Sequence, residues 1–441
     1  MGTNSVLHTE LIVDKITIRG GSHLDGSIEI SGAKNAALPC MAACLLTDET
    51  LILRNLPAVV DIRTMEKVLG TLGTHVSHET TPSLLSITQS LTCNEPSEYK
   101  APYELVKTMR ASILVLGPLL TRFGKASISF PGGCSIGARP IDLHLEVMSK
   151  MGASIDIHHG YVEASLPSGK RLKGIDHTFP YISVGATENS LLAAALADGK
   201  TILRNAAKEP EISDLISLLI SMGIPIEGLG TSTLAIEGQR QAHGTHYTII
   251  PDRIEVGTFI CALAITGGSL CLQGVVLEHV SSLLEVIERS GCKYRYDVTK
   301  KVLHLERSPS DRLEPINIST APYPDFPTDL QAQFMAVLTQ ADGTSTIIEN
   351  IFENRFQHVM ELQRLGASID MDGRTARIHG PTLLSGTTVM ASDLRASAGL
   401  VIAGLAAEGT TTIERIYHLD RGYAHLDHKL RSVGVEIERI K

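Results

Sequence analysis

The stretch FPGGCSIGARP (130–140) sets Cys134 behind two glycines and five residues ahead of Arg139. Adjacent glycines let a backbone approach a ligand closely, and a fixed guanidinium favours the thiolate over the thiol. Cys134 is therefore a candidate reactive thiol. The other six cysteines (Cys40, Cys44, Cys93, Cys261, Cys271 and Cys292) stand among Ala, Leu and Thr. They are expected to be small buried hydrophobes. Charged residues gather at the starts of apolar helices: Lys34 beside Asn35, Lys107 and Arg110, Asp252 with Arg253, Asp329, and Asp393 with Arg395. Arg139, Arg355 and Arg421 fall in loops. Cations clustered with helix N-termini make a pocket for phosphate or carboxylate.

A repeat positions these residues. One half of each unit is an apolar helix followed by a β-branched strand, as in VGATENSLLAAALADGKTILRN and DLRASAGLVIAGLAAEGTTTIER. The other half is a loop, an amphipathic helix, a glycine and another strand, as in FQHVMELQRLGASIDM. The closing glycines are Gly73, Gly152, Gly223, Gly291, Gly366 and Gly434, at intervals of 79, 71, 68, 75 and 68 residues. Glycine there suits the left-handed residue that ends a helix. A helix apolar on all sides belongs in a domain centre, whereas an amphipathic one lies nearer solvent. Six units in 441 residues predict two domains of three units each. The first spans 34–250. The second takes 251–441 together with 15–33, whose strands DKITIRGG and GSIEISG have no half-repeat of their own. Residues 1–14 are expected to be a disordered extension. Arg139 and Arg421 each precede their repeat glycine by 13 residues and Arg355 by 11, so the loops that carry them face a common region.

Bulk properties narrow the function. There are 39 basic and 48 acidic residues, a net charge of −9, 4% aromatic residues and no Trp. That balance disfavours nucleic acid as a partner but permits a small anion held by local cations. Seven cysteines without a C-x-x-C pair read as thiols of a reducing compartment. The N-terminal sequence has no signal-peptide pattern, and no apolar run reaches the ~20 residues a membrane span needs. The expectation is a soluble cytoplasmic protein with no obligate protein partner and no metal site.

The motifs SGAKNAALP, LVKTMRASI, PGGCSIGARP, SVGATEN, EPEI, PDRIEVGTF, APYPDFPTDLQAQF, FENRF, DLRASA and HLDRGY occur in that order between residues 31 and 423. This set closely resembles the UDP-N-acetylglucosamine 1-carboxyvinyltransferase family. The resemblance implies an α/β fold of EPSP synthase type, a two-domain inside-out α/β barrel with six βαβαββ repeats, three per domain. It implies transfer of enolpyruvyl from phosphoenolpyruvate to the 3′-hydroxyl of UDP-N-acetylglucosamine, with phosphate released, as the first committed step of peptidoglycan synthesis. The route is addition–elimination through a tetrahedral ketal, without a cofactor. The resemblance makes Cys134, Asp329, Lys34 and Arg421 catalytic, with Cys134 as general acid and Asp329 at the sugar hydroxyl. It assigns Lys34, Asn35, Arg139, Arg395 and Arg421 to phosphoenolpyruvate. To UDP-N-acetylglucosamine it assigns Arg110, Arg139, Pro140, Ile141, Asp142, Leu143, Ser183, Val184, Gly185, Asp329 and Ile351. Tyr181 stands where some members carry a Lys, at the place of one expected diphosphate contact. The alternatives are 5-enolpyruvylshikimate-3-phosphate synthase, a nucleotide enolpyruvyl transferase, and a non-catalytic UDP-sugar sensor.

Overall fold

The computed structural model describes residues 14–79, 86–107, 109–130 and 141–440. Cys134, Arg139 and Pro140 lie outside the described residues. The third unit shows the repeat at its plainest: strand Asp176–Thr178, helix Val184–Ala194, strand Lys200–Arg204, helix Pro210–Ser221, then strands Ile226–Glu227 and Thr233–Glu237. Its first strand pairs parallel with Lys200–Arg204, which pairs antiparallel with Thr233–Glu237, and that strand pairs with Ile226–Glu227. Six four-stranded sheets of this order are present among the described residues. Two of them take strands from the start of the chain: Lys15–Arg19 lies between Thr410–Glu414 and Glu436–Ile440, and Leu24–Glu29 pairs parallel with Gly268–Gln273.

The apolar helices lie inside, as their uniform hydrophobicity predicts. Every residue of Ile254–Thr266 in the helix Arg253–Thr266 is buried, as are residues 395–405 of Leu394–Ala406 and 186–194 of Val184–Ala194. Each of these three starts with a side-chain cap, which satisfies amide donors that have no helical partner. Asp252 accepts from Ile254 N and Glu255 N, Asp393 from Arg395 N and Ala396 N, and Ser183 from Ala186 N. The six repeat glycines all take positive φ, between 83° and 105°. That is the left-handed turn expected after each amphipathic helix.

Buried hydrophobic side chains form two clusters. One draws on residues 33–249 plus Ala424, the other on 16–30 and 254–437. We call them the first and second lobes. The chain crosses between them at two adjacent segments, where Gly32 bridges Pro251 and Asp252 N donates to Ser31 O at 2.8 Å. A Cβ on Gly32 would fall 1.7 Å from Asn55 O, so the crossing accepts only glycine.

The central helices approach closely. Gly117 N donates to Asn189 Oδ1 at 2.8 Å, and a Cβ on Gly117 would lie 2.5 Å from Asn189 O. The fully buried Asn189 also donates to Ile113 O. Gly117→Ala is expected to lower unfolding stability by about 2–3 kcal/mol through overpacking, read from urea midpoints at unchanged m-value. A loss under 0.5 kcal/mol would show that the helices separate freely here.

Candidate functional site

Lys34 opens the helix Lys34–Ala42 just past the crossing, and its ammonium is buried with a partner. Nζ donates to Asp61 Oδ2 at 3.0 Å. From the second lobe, the Arg421 guanidinium reaches the same carboxylate, with Nε 2.9 Å from Oδ1 and Nη2 3.4 Å from Oδ2. Burial works against the Asp61 charge, but Lys34 and Arg421 outweigh it and hold the carboxyl below its ordinary range. Asp61 stands in the first turn of the amphipathic helix Val60–Thr71. Asp61 was not among the residues expected at the site.

A second carboxylate repeats this arrangement. Asp329 Oδ1 accepts from Arg355 Nη2 at 2.7 Å, and Oδ2 accepts from Arg395 Nη2 at 2.8 Å. Both guanidiniums are buried, with side-chain exposures of 4% and 6%. Burial disfavours the Arg395 charge, yet Asp329, Tyr423 and Asp252 hold its proton more firmly than usual. Asp252 is a buried carboxyl pushed up to about 6 by its burial. Behind this pair, Gln333 Nε2 donates to Asp329 O and Tyr423 Oη, and Tyr423 Oη lies 2.8 Å from Thr258 Oγ1. Glu349, fully buried, accepts from Thr328 Oγ1, Ile351 N and Phe352 N. It therefore ties the turn that carries Asp329 to the turn that carries Ile351. His358 lies beside Arg355 and Asp393, fully enclosed. Burial pushes its ring down to about 4, and neither nitrogen closes a hydrogen bond of ordinary length.

Of the residues expected at the sugar nucleotide, Arg110, Ile141, Asp142, Leu143, Ser183, Val184 and Gly185 belong to the first lobe, whereas Asp329 and Ile351 belong to the second. Ser183, Val184 and Gly185 form the start of Val184–Ala194. A Cβ on Gly185 would stand 3.3 Å from the His144 ring. His144, pushed down to about 3 by burial and then by Arg110, shares a 3.1 Å contact with Asn189 Nδ2. Ile141, Asp142 and Leu143 lead into the same helix as His144. Tyr181 is half exposed, and its partial burial followed by the nearby Asp142 carboxylate raises its proton affinity. Asn35, next to Lys34 in the chain, is half-buried.

Between the lobes, Arg253 Nε meets Glu211 Oε1 at 3.0 Å and Tyr323 N donates to Glu209 Oε1 at 3.3 Å. Glu188 adds a third buried carboxyl, raised well above its ordinary value by burial and by Glu211 and Glu209. Sequence reasoning did not single out Asp61, Glu349, His358, Glu188 or Glu211.

Such an arrangement has the chemistry to receive an anion on preorganised cations. Lys34, Arg421, Arg355 and Arg395 are held in place by two carboxylates, so a bound phosphate or carboxylate meets donors that are already oriented. Among the described residues no group of three or more His, Cys, Asp or Glu could hold a metal ion, and no helix is long and apolar enough to cross a membrane.

Comparison with known proteins follows the same line. The family model for EPSP synthase (3-phosphoshikimate 1-carboxyvinyltransferase) matches residues 18–430. The UDP-N-acetylglucosamine 1-carboxyvinyltransferase of Koribacter versatilis is 52% identical over 435 residues, covering 97% of both chains. That of Rhodospirillum centenum is 52% identical over 433 residues, covering 97% of this chain and 99% of its own. Among solved structures, the enolpyruvyl transferase NikO from Streptomyces tendae superposes with a TM-score of 0.86 at 25% identity, covering 97% of this chain and 99% of that one. EPSP synthase from Acinetobacter baumannii gives a TM-score of 0.73 at 18% identity, covering 97% of this chain and all of that one, and so shares the fold. The fold is thus the two-domain inside-out α/β barrel that the resemblance implied, and the chain belongs to the EPSP synthase family and, within it, to the UDP-N-acetylglucosamine 1-carboxyvinyltransferases.

Proposed function

We propose that the chain transfers the enolpyruvyl group of phosphoenolpyruvate to the 3′-hydroxyl of UDP-N-acetylglucosamine and releases phosphate. The supporting observation is two carboxylates each set between two cations, Asp61 bridging the lobes and Asp329 within the second lobe. Phosphoenolpyruvate brings a phosphate and a carboxylate, and fixed cations offset the loss of their hydration. Each charge-assisted hydrogen bond contributes about 1.5–3 kcal/mol.

In this proposal 34–250 is one domain, 15–33 with 251–441 is the other, and the substrates meet between them. Lys34 and Arg421 take the phosphoenolpyruvate anion, with Arg139 from the loop outside the described residues. Addition places a proton on C3 and joins the sugar oxygen to C2, giving the phospho-ketal. Elimination removes a C3 proton and breaks the C2–O bond to phosphate. Cys134 supplies the first proton, and its thiol can also add covalently to phosphoenolpyruvate. Asp329 receives the proton of the sugar hydroxyl or aligns that hydroxyl. Arg110, Asp142, Ser183 and Gly185 hold the sugar nucleotide. The reaction belongs to peptidoglycan synthesis in the cytoplasm, and so to cell-wall growth, cell shape and division.

Phosphate release with UDP-N-acetylglucosamine as acceptor tests the reading against shikimate-3-phosphate and free nucleotides. Release with shikimate-3-phosphate alone, or with neither acceptor, would overturn it. Cys134→Ser is expected to lose most turnover and to resist inactivation by an epoxide phosphonate that mimics phosphoenolpyruvate. Unchanged inactivation would remove the thiol from the chemistry.

A further inference from the structure

Five of the described cysteines are buried, as the sequence predicts, but Cys271 is not. It lies on the sheet formed by Leu24–Glu29, Gly268–Gln273, Val302–Arg307 and Lys293–Asp297. Side chains alternate across a strand. On Gly268–Gln273, Leu270 and Leu272 point into the core while Ser269, Cys271 and Gln273 point out. Registers align one row across the outer face: Arg295 opposite His304, His304 opposite Cys271, and Cys271 opposite Ser27. Within that row Cys271 Sγ lies 3.1 Å from His304 Nδ1.

The row is polar and open. Cys271 and His304 are part-buried, and Arg295 and Ser27 are exposed. Ser27 Oγ donates to Cys271 O and accepts from Gln273 Nε2. The neighbouring rows place Lys293, Glu306, Ser269 and Asp25 on one side, and Asp297, Val302, Gln273 and Glu29 on the other. The other five sheets act as internal controls. Their corresponding pairs are Ile52 with Ser90, Ser127 with Glu163, Ile202 with Ala235, Thr346 with Arg377 and Thr412 with Thr17. This sheet alone sets a thiol against an imidazole at the shared position.

We propose that Cys271 and His304 form a second reactive-thiol site, on the outer face of the second lobe, that undergoes exchange with low-molecular-weight disulfides carrying carboxylates. His304 Nδ1 takes the thiol proton, and the thiolate is the attacking species. Sγ bonds to one sulfur of the disulfide, whose S–S bond breaks. The other sulfur leaves as a thiolate and collects the proton from His304. The products are a mixed disulfide on Cys271 and one free low-molecular-weight thiol. Arg295, two strands from Cys271 in the same row, provides the charge that attracts the carboxylate.

The test treats the intact chain with glutathione disulfide, which is anionic, or with bis(2-hydroxyethyl) disulfide, which is neutral, and resolves each cysteine by peptide mass spectrometry. Cys271 is expected to react at least tenfold faster than the five buried cysteines and faster than the same thiol in urea-unfolded chain. His304→Gln should slow Cys271 about tenfold with both reagents, at unchanged melting temperature. Arg295→Gln should slow only glutathione disulfide, several-fold. A folded-chain rate no higher than the unfolded one, or an unchanged rate in His304→Gln, overturns the site. Equal slowing of both reagents by Arg295→Gln overturns the preference for carboxylates.

Discussion

Asp329→Asn is expected to cut phosphate release by about a thousandfold, within the usual worth of a positioned acid–base group, while UDP-N-acetylglucosamine still binds within a few-fold. Both oxygens of this carboxylate already accept from guanidiniums, Arg355 on one side and Arg395 on the other. Taking up the sugar proton therefore requires one of these bonds to be exchanged for the hydroxyl. Asn keeps the shape and one acceptor but cannot receive the proton, so the loss should fall on kcat. Asp329→Ala goes further, because two buried guanidiniums lose their carboxylate. Breaking a buried pair from one side costs about 3–5 kcal/mol, which a urea midpoint would record. Stopped turnover in the Asn variant at near-native stability would separate the chemical role from the structural one. A near-normal rate in Asp329→Asn would take the residue out of the reaction.

Much of the fold could be read from the sequence because the repeat rests on local physics. A left-handed residue after each amphipathic helix needs glycine, and all six positions supply it. Helices such as Arg253–Thr266 carry apolar side chains on every face, so burial is their only stable placement. The cations of the candidate site were legible for the same reason, since Arg421 and Arg355 precede their repeat glycines by 13 and 11 residues and Lys34 and Arg395 stand at the starts of apolar helices. Their carboxylate partner Asp61 was not. It sits on the amphipathic helix, where an acid in the first turn is ordinary, and its partner Arg421 is 360 residues away. Glu349 and His358 are lost in the same way, because tertiary enclosure gives them meaning and spacing does not. Cys271 looked like a core residue from its apolar neighbours. Strand alternation turns it outward, and only the register of Val302–Arg307 brings His304 against it.

Asp61→Ala should lower kcat by about a hundredfold while the KM for phosphoenolpyruvate shifts by less than tenfold. Two effects compete. Removing the carboxylate removes a competitor for Lys34 and Arg421, which favours anion binding. It also removes the group that holds these cations, one from each lobe, on a single pair of oxygens. Catalysis depends on donors that are already oriented when charge moves to the leaving phosphate, and two unpartnered cations repel each other until the anion arrives. The lost orientation is about 2.7 kcal/mol at tenfold per 1.36 kcal/mol, within the range for one partner of a buried charged pair. Asp61→Ala combined with Lys34→Ala should be less damaging than the product of the two single losses, because both remove the same arrangement. The pH sign follows from the lowered Asp61 carboxyl. Its stabilising contribution is complete above the unfolded value near pH 4 and is lost only as pH falls below it. The rate defect should therefore hold across pH 6–8, read by steady-state phosphate release at saturating UDP-N-acetylglucosamine. A kcat within threefold of the parent enzyme would mean that Lys34 and Arg421 need no carboxylate between them.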